Sequence, residues 1–294
     1  LDQPGLLGRL ADYCALGKPR IAVMALLTVA AGFVLGSAGA WRPAALLSAV
    51  VGIGLVAIGS SAWNQWLERR IDGLMRRTAQ RPLPAGRLAQ TQALAFAMLT
   101  SVAGLAWLAV NTNAATCVLT ALTLLVYAGL YTPLKRRVSF ATVVGAIPGA
   151  MPPVLGWVAA GAGLDWSAFS LFALLFLWQF PHFLAISWLY QEDYQRAGLK
   201  MLPGGASWPR VTGLVAVAYA LALVPLSLFP AYCGLAGGAY AVVALALSLA
   251  YLVLALGFMR GGSPASARRL LLGSLVYLPV VLAALVWDHL RLLS

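Results

Sequence analysis

Apolar residues along this chain gather into runs of about twenty, the length a helix needs to cross a hydrocarbon core, with short polar gaps between them. The runs lie near 21–39, 44–63, 90–110, 114–132, 139–160, 167–189, 211–230, 236–258 and 270–287. Lipid offers a backbone no hydrogen-bond partner, so each run predicts an α-helix, and nine spans place the two termini on opposite sides. The tightest division is the short gap between 230 and 236. The first run ends in Ala38-Gly39-Ala40, a faint likeness to a signal-peptidase site. It is longer than a secretory h-region, and eight further runs follow, so it reads as the first span. The predicted fold is an all-α membrane protein, one domain over residues 1–294 whose first 1–20 form a cytoplasmic tail.

Composition agrees: 62% of the 294 residues are hydrophobic and 10% are charged, against about half and a quarter in soluble domains. A net charge of +12 raises nucleic acid as a partner, but the distribution of the bases excludes it. Arg9, Lys18 and Arg20 precede the first span, and Arg69, Arg70, Arg76, Arg77, Arg81 and Arg87 follow the second. Lys135 to Arg137, then Arg196, Lys200 and Arg210, then Arg260, Arg268 and Arg269, fill later alternate gaps. Only Arg42 and Arg291 fall on the other face, so 18 of the 20 bases share one side. The positive-inside rule makes that side cytoplasmic. The three cysteines form no CxxC pair or disulfide framework. Gly32-x-x-x-Gly36 and Gly145-x-x-x-Gly149 would let helices approach closely.

Eight acidic residues remain. Asp2 and Asp12 lie in the tail, Asp165 in an outer gap and Asp288 near the C-terminus. Glu68 and Asp72, then Glu192 and Asp193, occupy two gaps on the basic face. Asn64, Glu68 and Asp72 recur every four residues, so on a helix continuing past the membrane they share a side, drifting about 40° per step. Pro82 and Pro84 would end that helix. Two readings fit. Hard oxygens in such a ladder suit Mg²⁺, which takes one or two carboxylates and shares its other positions with phosphate and water, while neighbouring arginines fork onto phosphate. Alternatively, the acids are solvated ion pairs with Arg69 and Arg70, worth under about 1 kcal/mol, and the arginines are topology signals and headgroup contacts. A second acid-bearing gap with its own bases, LYQEDYQRAGLKMLP, makes the pair look like two sides of one polyanion site.

Two more stretches carry polar groups. YTPLKRR ends the fourth span with three bases, again a topology loop or a phosphate contact. WQFPHF places Gln179 and His182 inside the apolar sixth span, beside Pro181. A polar residue at membrane depth is a site candidate, although a lone His there more often bonds a neighbouring helix than a metal.

NQWLERRIDGLMRRTAQRPLPAGR resembles the first signature of the UbiA superfamily of intramembrane prenyltransferases. MRRTAQRPLPAGR, YTPLKR, GAIPGAMPPVLGW, WQFPHFLAISW and EDYQRAGLKMLP, in that order, resemble its protoheme IX farnesyltransferase branch. The resemblance implies a helical bundle around a cavity open to lipid and capped by cytoplasmic loops, in a bacterial plasma (inner) membrane. It implies transfer of the farnesyl group of farnesyl diphosphate to a vinyl group of heme B, with addition of water, giving heme O. Asn64, Glu68, Asp72 and Asp193 would then hold Mg²⁺ and serve catalysis. Arg76, Arg77, Arg81, Tyr131, Lys135, Arg136 and Lys200 would contact diphosphate or the heme propionates, and His182 and Gln179 would contact heme. Heme A synthase or cytochrome oxidase assembly proteins are implied partners. One departure stands out: four residues beyond Asp193, where many members carry a second Asp, is Ala197. A UbiA-type enzyme prenylating a quinone-precursor ring fits the first signature equally. A transporter fits less well, because the acids cluster on one face and no paired broken helices appear.

Overall fold

The computed structural model describes residues 5–40, 42–135, 137–138, 140–199 and 208–294, the side chains of Trp208 and Pro209 excepted. Every described element is helical: α1 (Leu6–Leu16), α2 (Pro19–Gly36), α3 (Pro43–Asp72), α4 (Gln90–Asn111), α5 (Ala114–Leu124), a π-helical turn (Leu125–Tyr131), α6 (Thr132–Leu134), α7 (Ala141–Ala159), α8 (Trp166–Leu189), α9 (Gln191–Arg196), α10 (Trp208–Leu226), α11 (Phe229–Tyr232), α12 (Gly238–Gly261) and α13 (Pro264–Leu293). Among the described residues nine segments are long and apolar enough to cross a membrane, each on a predicted run. The chain is an integral membrane protein.

Two spans outrun the pattern that predicted them. α3 continues to Asp72, and α13 covers Pro264–Leu293. α13 starts early because Ser263 accepts the Ser266 N–H and Pro264 sits in the first turn, where its missing N–H costs nothing. Near the tightest division, α10 gives way to the short α11, and Tyr240 donates its hydroxyl back to Ser227 O at 2.7 Å. The tail contains α1, which buries Asp12 and Leu16 and exposes Leu6, Leu7 and Leu10. This element is too short to register as a run.

α3 pairs with α4, α2 with α7, and α8 with α7, α10 and α13, while α12 lies between α10 and α13. α2 and α13 touch only lightly, leaving an apolar, lipid-facing cleft lined by Met24, Leu27, Val34, Leu278 and Leu282. The tightest crossing is α2 on α7. A Cβ at Gly32 would fall 1.9 Å from Pro153 O, and one at Gly156 would fall 1.9 Å from Val29 O. Backbones in contact gain dispersion that no side chain could add, which is why small residues mark helix contacts in lipid. Gly145 and Gly149 serve another purpose. The first clears the Tyr131 ring and the second the Gln179 amide.

Gly32→Ala and Gly156→Ala should therefore each destabilise the bundle by about 1–3 kcal/mol through overpacking, read as a lower melting temperature in detergent. Gly129→Ala, whose Cβ meets nothing within 4 Å, should leave it unchanged. Equal melting of Gly156→Ala and the parent chain would contradict this crossing.

Candidate active site

α3 carries its ladder of oxygens in its last turns and buries it. Asn64 and Glu68 are 3% exposed and Asp72 is fully buried, so these are not solvated helix-end pairs. Each meets a cation from a different segment. Lys18 Nζ donates to Asn64 Oδ1 at 2.8 Å, Lys135 pairs with Glu68 Oε1, and Arg81 donates to Asp72 Oδ2 at 2.7 Å. Asp72 Oδ1 is buried with no hydrogen-bond partner. A carboxylate oxygen left bare in protein costs free energy unless something else uses it.

Local sequence explains how the cations arrive. Gly73 ends α3, and Thr78 Oγ1 donates to Asp72 O at 2.8 Å, turning the chain so that Arg81 faces back. Residues 73–88 form turns, and α3 stops at Asp72, well before Pro82 and Pro84, the predicted stops. The fourth span slips into π geometry at Leu125–Tyr131, with the Thr132 N–H reaching Tyr127 O five residues back. Such bulges recur at functional sites because they turn side chains away from the regular face. Here Thr132 Oγ1 accepts from Asn64 Nδ2 at 3.3 Å and donates to Tyr127 O at 2.8 Å. The Tyr127 and Tyr131 rings lie 5.6 Å apart beside Lys135, whose ammonium is 5.7 Å from the Tyr131 ring.

Lys18 is held by strain. It joins α1 to α2 at φ 49, left-handed for a residue that carries a Cβ. Pro19 follows immediately. Gln65 clasps this corner, donating to Ala15 O at 3.1 Å and Leu16 O at 2.9 Å, carbonyls of the last turn of α1. Burial, then the nearby charges of Arg81 and Lys135, hold the Lys18 ammonium down to about 7, against the pull of Glu68 and Asp72. Arg87 pairs with Asp12 at 2.8 Å and ties the far end of the 73–88 loop to α1.

The second acidic gap closes over the first. Asp193, on α9, accepts the Arg76 N–H at 3.2 Å and the Arg77 N–H at 3.3 Å, with Arg196 at 3.6 Å. Arg77 lies over the Tyr190 ring at 4.9 Å. Met75, Tyr194, Ala197 and Leu199 make an apolar patch between the loops, so the position four residues beyond Asp193 is filled by packing. Arg76 and Arg77 are exposed beside it. Arg136 and Lys200 lie outside the described residues.

Gln179 and His182 sit deeper. Gln179 is buried and donates to Ala146 O at 2.8 Å, bridging α8 to α7. His182 Nδ1 lies 2.7 Å from Ser274 Oγ on α13, and its ring stacks on Trp178. Ser274 Oγ gives its proton to Leu271 O at 2.6 Å, so the Nδ1 of His182 is the donor of that pair. The sequence by itself does not point to Lys18, Thr132 or Tyr127 as members of the site. Lys18 resembled one more topology base, and a π turn leaves no periodicity to read.

Among the described residues no three His, Cys, Asp or Glu side chains gather into a metal cluster. The oxygen set is two carboxylates and an amide, which suits a hard cation that shares its coordination with phosphate rather than a closed protein cage. The model of the UbiA prenyltransferase family matches residues 25–285. The chain belongs to that family. This UbiA member is 44% identical to the protoheme IX farnesyltransferase of Solibacter usitatus, over 95% of this chain and 98% of that one. It is 40% identical to the protein of that name from Koribacter versatilis, over 98% and 96%. Its fold is that of an Archaeoglobus fulgidus UbiA homologue solved with DMAPP and Mg²⁺ (TM-score 0.71, 18% identity, 95% and 99% of the two chains). A digeranylgeranylglyceryl phosphate synthase structure shares it too, with TM-score 0.76 and 15% identity over 97% and 99%.

Within this family member, Asp193→Ala should free the Arg76 and Arg77 amides. A hydrogen bond to a charged acceptor is worth about 1.5–3 kcal/mol, so hydrogen exchange at these two amides should quicken roughly tenfold or more by mass spectrometry. Unchanged exchange there would mean that Asp193 does not hold the loop.

Proposed function

We propose that this chain transfers the farnesyl group of farnesyl diphosphate to a vinyl carbon of heme B, with addition of water, to give heme O. What carries the reading is a buried ladder of Asn64, Glu68 and Asp72 with cations on every rung, in a chain similar from end to end to proteins named protoheme IX farnesyltransferase. The ladder sits on the face that collects the basic residues and suits the diphosphate end of a prenyl donor. The apolar bundle beneath suits its tail.

Asn64, Glu68 and Asp72 would hold Mg²⁺, Asp72 through its unpartnered Oδ1; Asp193 would serve it from the second loop. When bound, the ion would neutralise charge that builds on the leaving diphosphate. Arg81 and Lys135 would take phosphate oxygens, and Arg76 and Arg77 would add positive charge, an arrangement that would favour the charge-separated transition state over the bound substrate. Tyr127 and Tyr131 offer π faces to the allylic carbon as positive charge develops, and the surrounding apolar walls keep water from it. The heme vinyl then attacks as the carbon nucleophile, and water captures the cation left beside the macrocycle. Because His182 Nδ1 is committed to Ser274, Nε2 is the nitrogen left for the porphyrin. Gln179 would contact heme from the α7–α8 interface. The membrane is the bacterial inner membrane, with the basic face and N-terminus cytoplasmic and the C-terminus outside.

Asp72→Asn keeps the shape and removes the charge, so turnover of heme B and farnesyl diphosphate should fall roughly a hundredfold, on the order of 3 kcal/mol in the barrier, with folding unchanged. Glu68→Gln should be severe and Glu68→Asp partly tolerated. Asp165→Asn is the control, since that side chain caps α8 through the Ala168 N–H and Asn caps as well as Asp. Near-normal turnover of Asp72→Asn across a Mg²⁺ titration would refute the assignment of the ladder. A purified chain that prenylates 4-hydroxybenzoate but not heme B would refute the acceptor. In a background without the native cysteines, Ala85→Cys on the exposed part of the 73–88 loop should be labelled by an impermeant thiol reagent only from the cytoplasmic side. Labelling from outside alone would reverse the orientation.

A further inference from the structure

The ladder carries more positive charge than negative. Lys18 is on Asn64, Lys135 on Glu68 and Arg81 on Asp72. With Lys18 protonated, three cations meet two carboxylates, which leaves one formal positive charge beside the buried oxygens. The groups form one cluster, because Asn64, Glu68 and Asp72 follow one another a turn apart on α3 and each is engaged by its own cation. A divalent cation entering alone would triple that charge, and low-dielectric surroundings magnify the repulsion. It would also have to strip each cation from its oxygen and leave it without a partner. A prenyl diphosphate carrying about three negative charges reverses both costs. With the ion it brings the cluster close to neutral, and its oxygens give the lysines and the arginine new acceptors, which both side-chain types favour.

We propose that the ladder takes its divalent cation only together with a diphosphate, Lys18, Lys135 and Arg81 leaving Asn64, Glu68 and Asp72 for phosphate oxygens in the same event. This rests on reading the ladder as the diphosphate site, and it assigns Lys18 a part in loading that site. The left-handed turn at Lys18 and the Gln65 clasp beneath it keep the ammonium in place while its partner changes. The three cations come from the α1–α2 corner, the 73–88 loop and the end of the fourth span, so one exchange would reset contacts among three segments.

The test uses the full chain in detergent micelles, with Mn²⁺ as the probe ion followed by electron paramagnetic resonance and inorganic pyrophosphate as the probe anion. Without pyrophosphate, Lys18→Met and Lys135→Met should each bind Mn²⁺ about tenfold more tightly than the parent chain, because each removes a repelling, occupying cation. Without metal, both should bind pyrophosphate about tenfold more weakly. The opposite signs are decisive, since a lysine that merely touched phosphate would leave binding of Mn²⁺ alone unchanged. Arg137→Gln removes an exposed cation close to Lys135 and should shift either constant by less than about twofold, bulk water screening it. Two lysines on separate segments keep the test valid if one variant fails to fold. A parent chain that binds Mn²⁺ alone as tightly as the lysine variants would overturn the exchange and leave the ladder assignment standing. Mn²⁺ binding in the presence of pyrophosphate that is unaffected by Asp72→Asn would overturn both.

Discussion

Two carboxylates buried where several helices of a membrane protein meet must be compensated, and the architecture around them follows from that constraint. An isolated ionised carboxylate out of water costs several kcal/mol, which only close opposite charge and hydrogen bonds offset. Glu68 and Asp72 are compensated from other segments, by Lys135 and Arg81, and Asn64 is engaged by Lys18 and Thr132. To deliver these groups the chain bends the 73–88 loop back on α3, places a π turn in the fourth span and holds a lysine in a left-handed corner. Each is a local departure from the simplest helix-and-loop geometry, and all three converge on the same three side chains.

The acids elsewhere solve smaller problems by the same chemistry. Asp165 caps α8 and Asp288 accepts the Gly237 and Tyr240 N–H groups at the start of α12 while pairing with Arg291. Asp12 fastens α1 to Arg87. Asp193 spends its oxygens on the Arg76 and Arg77 backbone, so the second acidic loop braces the first. That division of labour accounts for Ala197, which joins Met75, Tyr194 and Leu199 in the seam between the loops. A charge there would break apolar contact.

Below the polar face, small residues decide which groups can meet. The α2–α7 crossing works only because Gly32 and Gly156 present bare backbone. Gly145 and Gly149 on α7 open the spaces into which Tyr131 and Gln179 fit. His182, tied by Nδ1 to Ser274 on α13, marks where α8 meets α13. One proline-interrupted helix pair and a few glycines thereby fix the walls beneath the ladder.

Apolar run length fixed the number of spans among the described residues, because a backbone in lipid must satisfy itself within the helix. The asymmetry of the bases set the expected orientation for a reason equally local, the energy of moving charge across a bilayer. The i, i+4, i+8 spacing of Asn64, Glu68 and Asp72 followed from helical geometry once α3 was long enough. What the spacing left open was whether those oxygens were solvated or buried, since that depends on what lies over them. Lys18, Lys135 and Arg81 reach the ladder from segments 46, 67 and 9 residues away from their partners, and no periodicity carries information over the longer two. The left-handed corner at Lys18, the π turn that presents Tyr127 and Thr132, and the turning of Asp193 toward backbone amides were all decided by packing. Run lengths and spacings are read along one helix at a time, whereas the compensation of buried charge is settled only where several helices meet.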